Sequence, residues 1–263
     1  MTLDVAISTY KPEGILRVEK ILPPTRPQVR YVVSWQEHGN TSVPESLLNR
    51  NDVEIHRLDE KGLSRNRNNA LQHCKGDIVL IADDDVIFTD DFAQTILNVY
   101  EKNPTVDLAT FKVDYTSNPK KYPREDCILG LPLPKDYFVA SIEMSFRRDR
   151  LKEIRFSPAL GLGSPKLQAG EDEYFLYQAI KGGLRCYFVN KIIASHPAPT
   201  TGNKVTLGIL RAQGFIIKIY YPVSFLLRIP LKAYRVAGKK RVSFFKTLYH
   251  LVRGAIVPQS KIN

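Results

Sequence analysis

The sequence predicts an α/β layered fold, on three observations. Short apolar runs at 4–10, 29–34, 53–57 and 78–82 read as strands and are interspersed with helical patterns. Pro, Gly and Asn punctuate the runs at turn positions. The fourth run stops abruptly at Asp83-Asp84-Asp85, and in open α/β sheets ligands sit beyond the carboxyl ends of the strands.

In order along the chain, 4–10 alternates and runs into Lys11-Pro12, a first strand followed by a loop. The runs 29–34 and 53–57 are the second and third strands, 64–73 a helix and 78–82 the fourth strand. Residues 91–102 are helical in pattern and stop at Asn103-Pro104, and 107–115 is a further strand. The Pro-rich stretch 118–134 lacks periodicity and reads as a loop over the site, after which 138–147 returns to strand. Gly170-Glu171-Asp172-Glu173 opens a helix to about Lys181, Gly182-Gly183 ends it, and 184–189 is the last strand.

The domain-like part ends near Gly202, which divides the chain into 1–202 and a basic, aromatic-rich helical extension, 203–263. Within the extension, 205–234 is apolar but interrupted by Arg211, Lys218, Arg228 and Lys232, and Pro222 and Pro230 are expected to break any long helix. No window reaches about 18 uninterrupted apolar residues, so no spanning segment is expected. Lys239-Lys240-Arg241 and the aromatic run after it mix cations with rings, as interfacial helices do.

With 263 residues the chain can bury a sizeable core. Cys74, Cys127 and Cys186 are widely separated, which excludes a zinc module or disulfide scaffold and points to a reducing compartment. The start, Met1-Thr2-Leu3-Asp4-Val5, enters a strand directly and is not a signal peptide. Net charge is +11, and Glu173 is the last acidic residue, with 15 of the 38 Lys and Arg beyond it. Such a block favours a polyanionic partner: a nucleic acid, a phosphorylated substrate or an anionic membrane face.

Three carboxylates on a strand tip repel one another unless a cation or hydrogen-bonding ligand offsets the repulsion. Mg²⁺ and Mn²⁺ take oxygen ligands and share them with substrate phosphates, which makes the tip a candidate metal and phosphate site. The alternative is a solvated acidic turn before a helix capped by Thr89, Asp90 and Asp91.

The run Gly62-Leu63-Ser64-Arg65-Asn66-Arg67-Asn68-Asn69-Ala70-Leu71, then Lys75-Gly76-Asp77, then the apolar strand ending in Asp83-Asp84-Asp85, resembles the nucleotide-sugar-binding half of family 2 glycosyltransferases. Those enzymes carry Gly-x-Ser-x-x-Arg-Asn, Lys-Gly-Asp and Asp-x-Asp in this order. The resemblance covers about residues 3–200 and is strongest at 62–86 and 170–196. It implies a single nucleotide-binding α/β/α sandwich of the glycosyltransferase A type, followed by the helical basic extension. It also implies an inverting, metal-dependent enzyme that moves a sugar from a nucleotide-diphosphate donor to a hydroxyl of a glycan or lipid-linked acceptor. The expected setting is bacterial surface-polysaccharide synthesis, in the cytoplasm and peripheral on the inner face of the cell membrane. An anionic membrane surface is then an expected partner, and a homo-oligomer is left open.

By the same resemblance, Asp85 ligates a divalent cation, Mn²⁺ or Mg²⁺, that bridges the diphosphate. Asp83, counted with both the metal and the nucleotide-binding sets, contacts the nucleoside sugar or a metal-bound water, and His196 in Ala194-Ser195-His196-Pro197 helps bind the metal or the diphosphate. Asp84 holds the variable middle position; it is counted with the nucleotide-binding set, although a capping or structural carboxylate explains it better. Thr9 and Tyr10 wall the nucleoside pocket. Arg67 and Asn68 lie close to the nucleotide, where Arg67 either clamps a phosphate or fixes a loop carboxylate. Asp172 matches the general base that takes the proton from the attacking hydroxyl, with Glu171 as the substitute; the alternative is an acidic helix cap.

After the second strand the family usually carries an acidic residue that reads the base. Here the run is Ser34-Trp35-Gln36-Glu37, which leaves the donor base open. His38, His56, His73 and His250 receive no functional assignment. A nucleic-acid-binding protein is the first competing reading, weakened by the acidic cluster and the lack of a recognised module. A sugar nucleotidyltransferase is the second, weakened because Ser8-Thr9-Tyr10-Lys11-Pro12-Glu13-Gly14 is not a glycine-rich phosphate loop.

Overall fold

Alternating side-chain direction along a strand lets one sheet bury apolar residues on both faces, and that is how β1 (Leu3–Tyr10) is used: every residue from Leu3 to Thr9 is buried. The computed structural model describes residues 1–116, 120–150, 153–197, 206–240 and 242–262. After β1 come α1 (Pro12–Ile21), β2 (Val29–Gln36), the single turn α2 (Glu45–Leu48), β3 (Val53–Leu58), α3 (Leu63–His73) and β4 (Ile78–Asp83). β3, β2, β1 and β4 lie side by side and parallel, with Ser8 in register with Asp83.

The second half adds β5 (Ile87–Phe88), α4 (Phe92–Lys102), β6 (Leu108–Tyr115), β7 (Cys127–Leu129), β8 (Met144–Arg147), α5 (Glu171–Lys181) and β9 (Cys186–His196). β8 runs antiparallel between β4 and β6, β6 is parallel to β9, and β5 and β7 both pair antiparallel with β9. Among the described residues this makes one nine-stranded sheet. Three helices close the chain: α6 (Leu207–Tyr220), α7 (Phe225–Lys240) and α8 (Phe244–Ala255).

Helices cover both faces of the sheet. Val5, Ile7 and Leu80 face a cluster with Ile15 of α1 and Ile96 of α4. Ala6, Val79 and Ile81 face the other, with Ala70 of α3, Phe175 of α5 and Ala212 and Phe215 of α6. α6 thus shares a core with α5, and Tyr220 Oη donates to the Glu173 carbonyl at 2.7 Å. α8 crosses α6 with backbones nearly touching at Gly214 and Gly254. A methyl group on Gly214 would collide with the Leu251 carbonyl, and one on Gly254 with the Arg211 carbonyl.

Several expectations need correction. The loop expected after the first strand is helix α1, started by Pro12 at its first turn and held by buried Ile15 and Val18. Only 144–147 of the expected strand 138–147 is a strand; Ser141–Glu143 is a 3₁₀ turn, because the Glu143 carboxylate folds back onto the Ala140 amide at 3.1 Å. β9 runs on to His196 rather than stopping at 189. The expected loop 118–134 contains β7, with 117–119 outside the described residues. Pro222 does separate two helices, but Pro230 lies inside α7, where flanking Ile229 and Ala233 are buried against Leu251 and Ala255 of α8. The boundary expected at 202/203 lies outside the described residues.

Candidate active site

The carboxyl ends of β1 and β4, the start of α3 and the start of α5 converge on one guanidinium. Arg67, on the first turns of α3, is 4% exposed. Its Nη1 donates to Asp172 Oδ1 at 2.7 Å and lies 3.5 Å from Glu171 Oε1, while Nη2 donates to Asp83 Oδ1 at 3.3 Å. Its plane sits over the Phe156 ring, 5.2 Å from the centroid. Burial works against the charge on Arg67, and Asp172, Asp83 and Glu171 more than offset it, holding its pKa above the usual value. In this geometry Arg67 holds carboxylates from two parts of the chain.

Asp172 is held at both oxygens, because the Ser141 amide donates to Oδ2 at 2.9 Å. The turn that supplies this amide is anchored by Glu143, which is fully buried and receives Lys120 Nζ at 2.5 and 2.6 Å, Tyr122 Oη at 2.7 Å and Tyr115 Oη at 3.1 Å. Burial pushes Glu143 up and Lys120 down, and each opposes the shift in the other. Burial, reinforced by the Asp172 charge, raises Glu171 to about 8. At neutral pH Glu171 is therefore held largely in its protonated form.

Beyond Asp83 on the same strand tip, the Asp85 side chain is 42% exposed, and its Oδ1 lies 3.0 Å from His196 Nε2. The hydrogen bond to Asp85 raises the His196 pKa, and the Tyr115 ring, 5.8 Å away, links His196 to the Glu143 cluster. Asp83 is drawn toward Arg67 instead, so Asp83, Asp85 and His196 do not form a three-ligand cluster. Among the described residues only Glu54, His56 and His73 bring three such ligand atoms within 4.8 Å of one another. That trio is on the edge strand β3 and at the end of α3. Its imidazoles stack 3.5 Å apart at 8°, so no single ion can lie in both ring planes, and Arg30 already holds Glu54 at 2.9 Å.

Asp85 and His196 offer two ligand atoms of the kind divalent ions take, and Mg²⁺ commonly completes its shell with phosphates and water. Buried polar atoms support a ligand beside them: Ser8 Oγ, Asn66 Oδ1 and Arg67 Nε, all on β1 and α3 next to Asp83, have no partner among the described residues.

Three residues of the expected nucleotide-binding set are otherwise engaged. Asp84 is buried, accepts from Thr9 Oγ1, and is clamped by Arg17 Nε at 3.1 Å and Nη2 at 2.8 Å. Thr9 also gives its carbonyl to Asn66 Nδ2 at 2.8 Å. Asn68 spends both ends of its amide on the Phe156 backbone, at 2.8 and 2.9 Å. Tyr10, 52% exposed at the end of β1, remains open to a ligand. Arg17, Asn66, Ser141, Glu143 and Lys120 went unnoticed in the sequence. Asn66 and Arg17 were within reach of sequence reasoning, the first inside the motif and the second on an unrecognised helix. Concavity alone would mislead, because a hollow of about 620 Å³ lined by Asn68, Phe156, Tyr174 and Gln259 contains none of the expected carboxylates.

Residues 43–159 match the family model described as glycosyl transferase family 2. Residues 1–349 of S. aureus TarS in complex with UDP-GlcNAc superpose with a TM-score of 0.63 at 15% identity, covering 91% of this chain and 73% of that one. A second structure of the same TarS segment gives 0.63 at 17% identity, covering 97% and 92%. Its complex with UDP gives 0.62 at 16%, covering 92% and 73%. At such identities the likeness is one of fold. No curated protein matches the sequence.

Proposed function

We propose that the chain moves a sugar, with inversion, from a nucleotide-diphosphate donor to a hydroxyl of a glycan or lipid-linked acceptor, a reading supported by the match of residues 43–159 to the glycosyl transferase family 2 model and by the likeness of its fold to that of TarS. The observation that carries this reading is the bridge made by Arg67 between Asp83 on the donor side and Asp172 on the acceptor side. Inversion needs attack from the face opposite the leaving group, and one side chain holding both carboxylates fixes that spacing.

Asp172, oriented by Arg67 and the Ser141 amide, accepts the proton of the attacking hydroxyl. Asp85 and His196 would hold a divalent cation, Mn²⁺ or Mg²⁺, which would supply positive charge for the departing diphosphate. Ser8, Asn66 and Tyr10 line the nucleoside end. UDP-GlcNAc and UDP in the TarS complexes support a nucleotide sugar as donor and make UDP-sugars the first probes. The setting we infer is surface-polysaccharide synthesis at the inner face of the cell membrane, from the resemblance and from the carboxylate-free C-terminal third.

The test is release of nucleoside diphosphate from a panel of UDP-, GDP- and dTDP-sugars with Mn²⁺, with and without simple glycan acceptors. Metal-stimulated release from one of them is expected. Release of pyrophosphate from a nucleoside triphosphate, with every sugar nucleotide left intact, would replace this reading by nucleotidyl transfer.

A further inference from the structure

A helix that packs on a protein normally turns its polar side to water. α7 does not. Its inner face, Ile229 and Ala233, is buried with Leu251 and Ala255 of α8. Its outer face is also apolar: Val223 just before the helix, then Leu226, Leu227, Pro230, Leu231 and Tyr234, spaced i, i+3, i+4, i+7, i+8 and i+11. The exposures are 93% for Val223, 70% and 73% for the two leucines, 56% for Leu231 and 73% for Tyr234. α8 repeats the pattern, with Phe245, Tyr249, Val252 and Ile256 spaced i, i+4, i+7 and i+11 and all exposed. Scattered surface leucines need no explanation, but two such stripes on neighbouring helices do.

Charge decides what covers them. Arg228, Arg235 and Lys239 on α7 and Lys246 and Arg253 on α8 are exposed beside the stripes, and no acidic residue follows Glu173. A second copy of the chain would bring cations against cations with no carboxylate from this region to pair them. An anionic lipid surface offers both an apolar layer for the stripes and phosphates for the cations. Among the described residues no helix is long and apolar enough to cross a membrane, so the helices would lie on the surface.

We propose that the outer faces of α7 and α8 form a docking surface for an anionic lipid bilayer, with Leu226, Leu227, Leu231, Tyr234, Phe245 and Tyr249 entering the acyl boundary. This gives the peripheral placement inferred above a surface, and rests on that placement but not on the transfer chemistry.

Because α6 shares the core of the catalytic part, point variants of the full chain test the surface better than truncation. The probes are vesicles of phosphatidylcholine with phosphatidylglycerol, and of phosphatidylcholine alone. The wild type is expected to co-sediment with the first, weakly with the second, and less as salt rises. The double variant Leu226→Gln, Leu227→Gln should lower the partition about tenfold or more, since it removes two apolar side chains from the layer they would enter. Arg235→Gln with Lys239→Gln should lower it on anionic vesicles only. Both variants should release nucleoside diphosphate from the donor at the wild-type rate in vesicle-free solution, so a failed docking surface remains distinguishable from a failed transferase reading. Equal sedimentation on both vesicle types, or leucine variants that bind as the wild type does, would overturn the proposal. So would a dimer that forms without lipid and is lost in the leucine variant.

Discussion

Arg67 Nη1 meets Asp172 Oδ1 at 2.7 Å across 105 residues of sequence, while the same guanidinium holds Asp83 on the neighbouring strand tip. Removing one partner of a buried charge cluster leaves the others uncompensated. Arg67→Met should therefore cost about 3 kcal/mol in a urea titration and abolish transfer, with Arg67→Lys intermediate in stability. A variant as stable as the wild type would mean that the cluster is solvated.

Asp172→Asn keeps shape and one acceptor while losing basicity. It should bind donor normally and lose turnover by a factor of roughly 10² or more. Glu171→Gln should keep most of the rate at neutral pH, since burial already keeps that carboxyl largely protonated there. If the two variants exchange behaviour, Glu171 is the base.

Glu171 also sets a pH dependence of stability. Its folded pKa, raised to about 8, lies above the unfolded carboxyl value of about 4.3. Between these values the folded state binds more protons than the unfolded one, so this group's contribution falls as pH rises through the window. The urea midpoint of the wild type should drop more between pH 5 and pH 8 than that of Glu171→Gln. Parallel curves would exclude the shift.

Asp85→Asn should weaken Mn²⁺-supported UDP binding, read by calorimetry, and His196→Gln should weaken it less, because the carboxylate supplies the charge. Undiminished metal-supported binding by Asp85→Asn would remove the cation from this pair.

Asn68 gives a control on the nucleotide site. Losing its two bonds to the Phe156 backbone should cost Asn68→Ala about 2 kcal/mol of stability while leaving donor affinity unchanged. A large loss of donor affinity at unchanged stability would return Asn68 to the nucleotide.

The parallel strands and the acidic tip were legible because both are local: apolar runs of strand length and carboxylates adjacent in sequence. α3 was legible by its helical pattern, and α5 by the acidic residues of its first turn and the glycine stop at Gly182. What stayed hidden depends on distant pairings. Nothing near Glu143 announces that Lys120 and two tyrosines will bury it, and nothing near Ser141 announces that its amide faces Asp172. α1 was missed because Lys11-Pro12 reads as a stop, whereas proline in a first turn starts a helix equally well. Asp84 could be separated from its neighbours only once Arg17 had a helix to sit on.

The core shared by α5 and α6 has a consequence for reach. Phe215 packs against Tyr174 at 5.7 Å between ring centroids, and Tyr220 is tied to the Glu173 carbonyl, next to Asp172. The backbone contact at Gly214 and Gly254 then fastens α8 to α6 without flexible side chains between them. Asp172 and the outer face of α8 are therefore linked through packed side chains and a backbone contact. If the proposed docking and transfer both hold, Asp172 would stand at a set height above the lipid, and an acceptor hydroxyl would be served only if its linker brought it to that height. The tail would then act as a ruler that selects acceptors by how far they project from the bilayer.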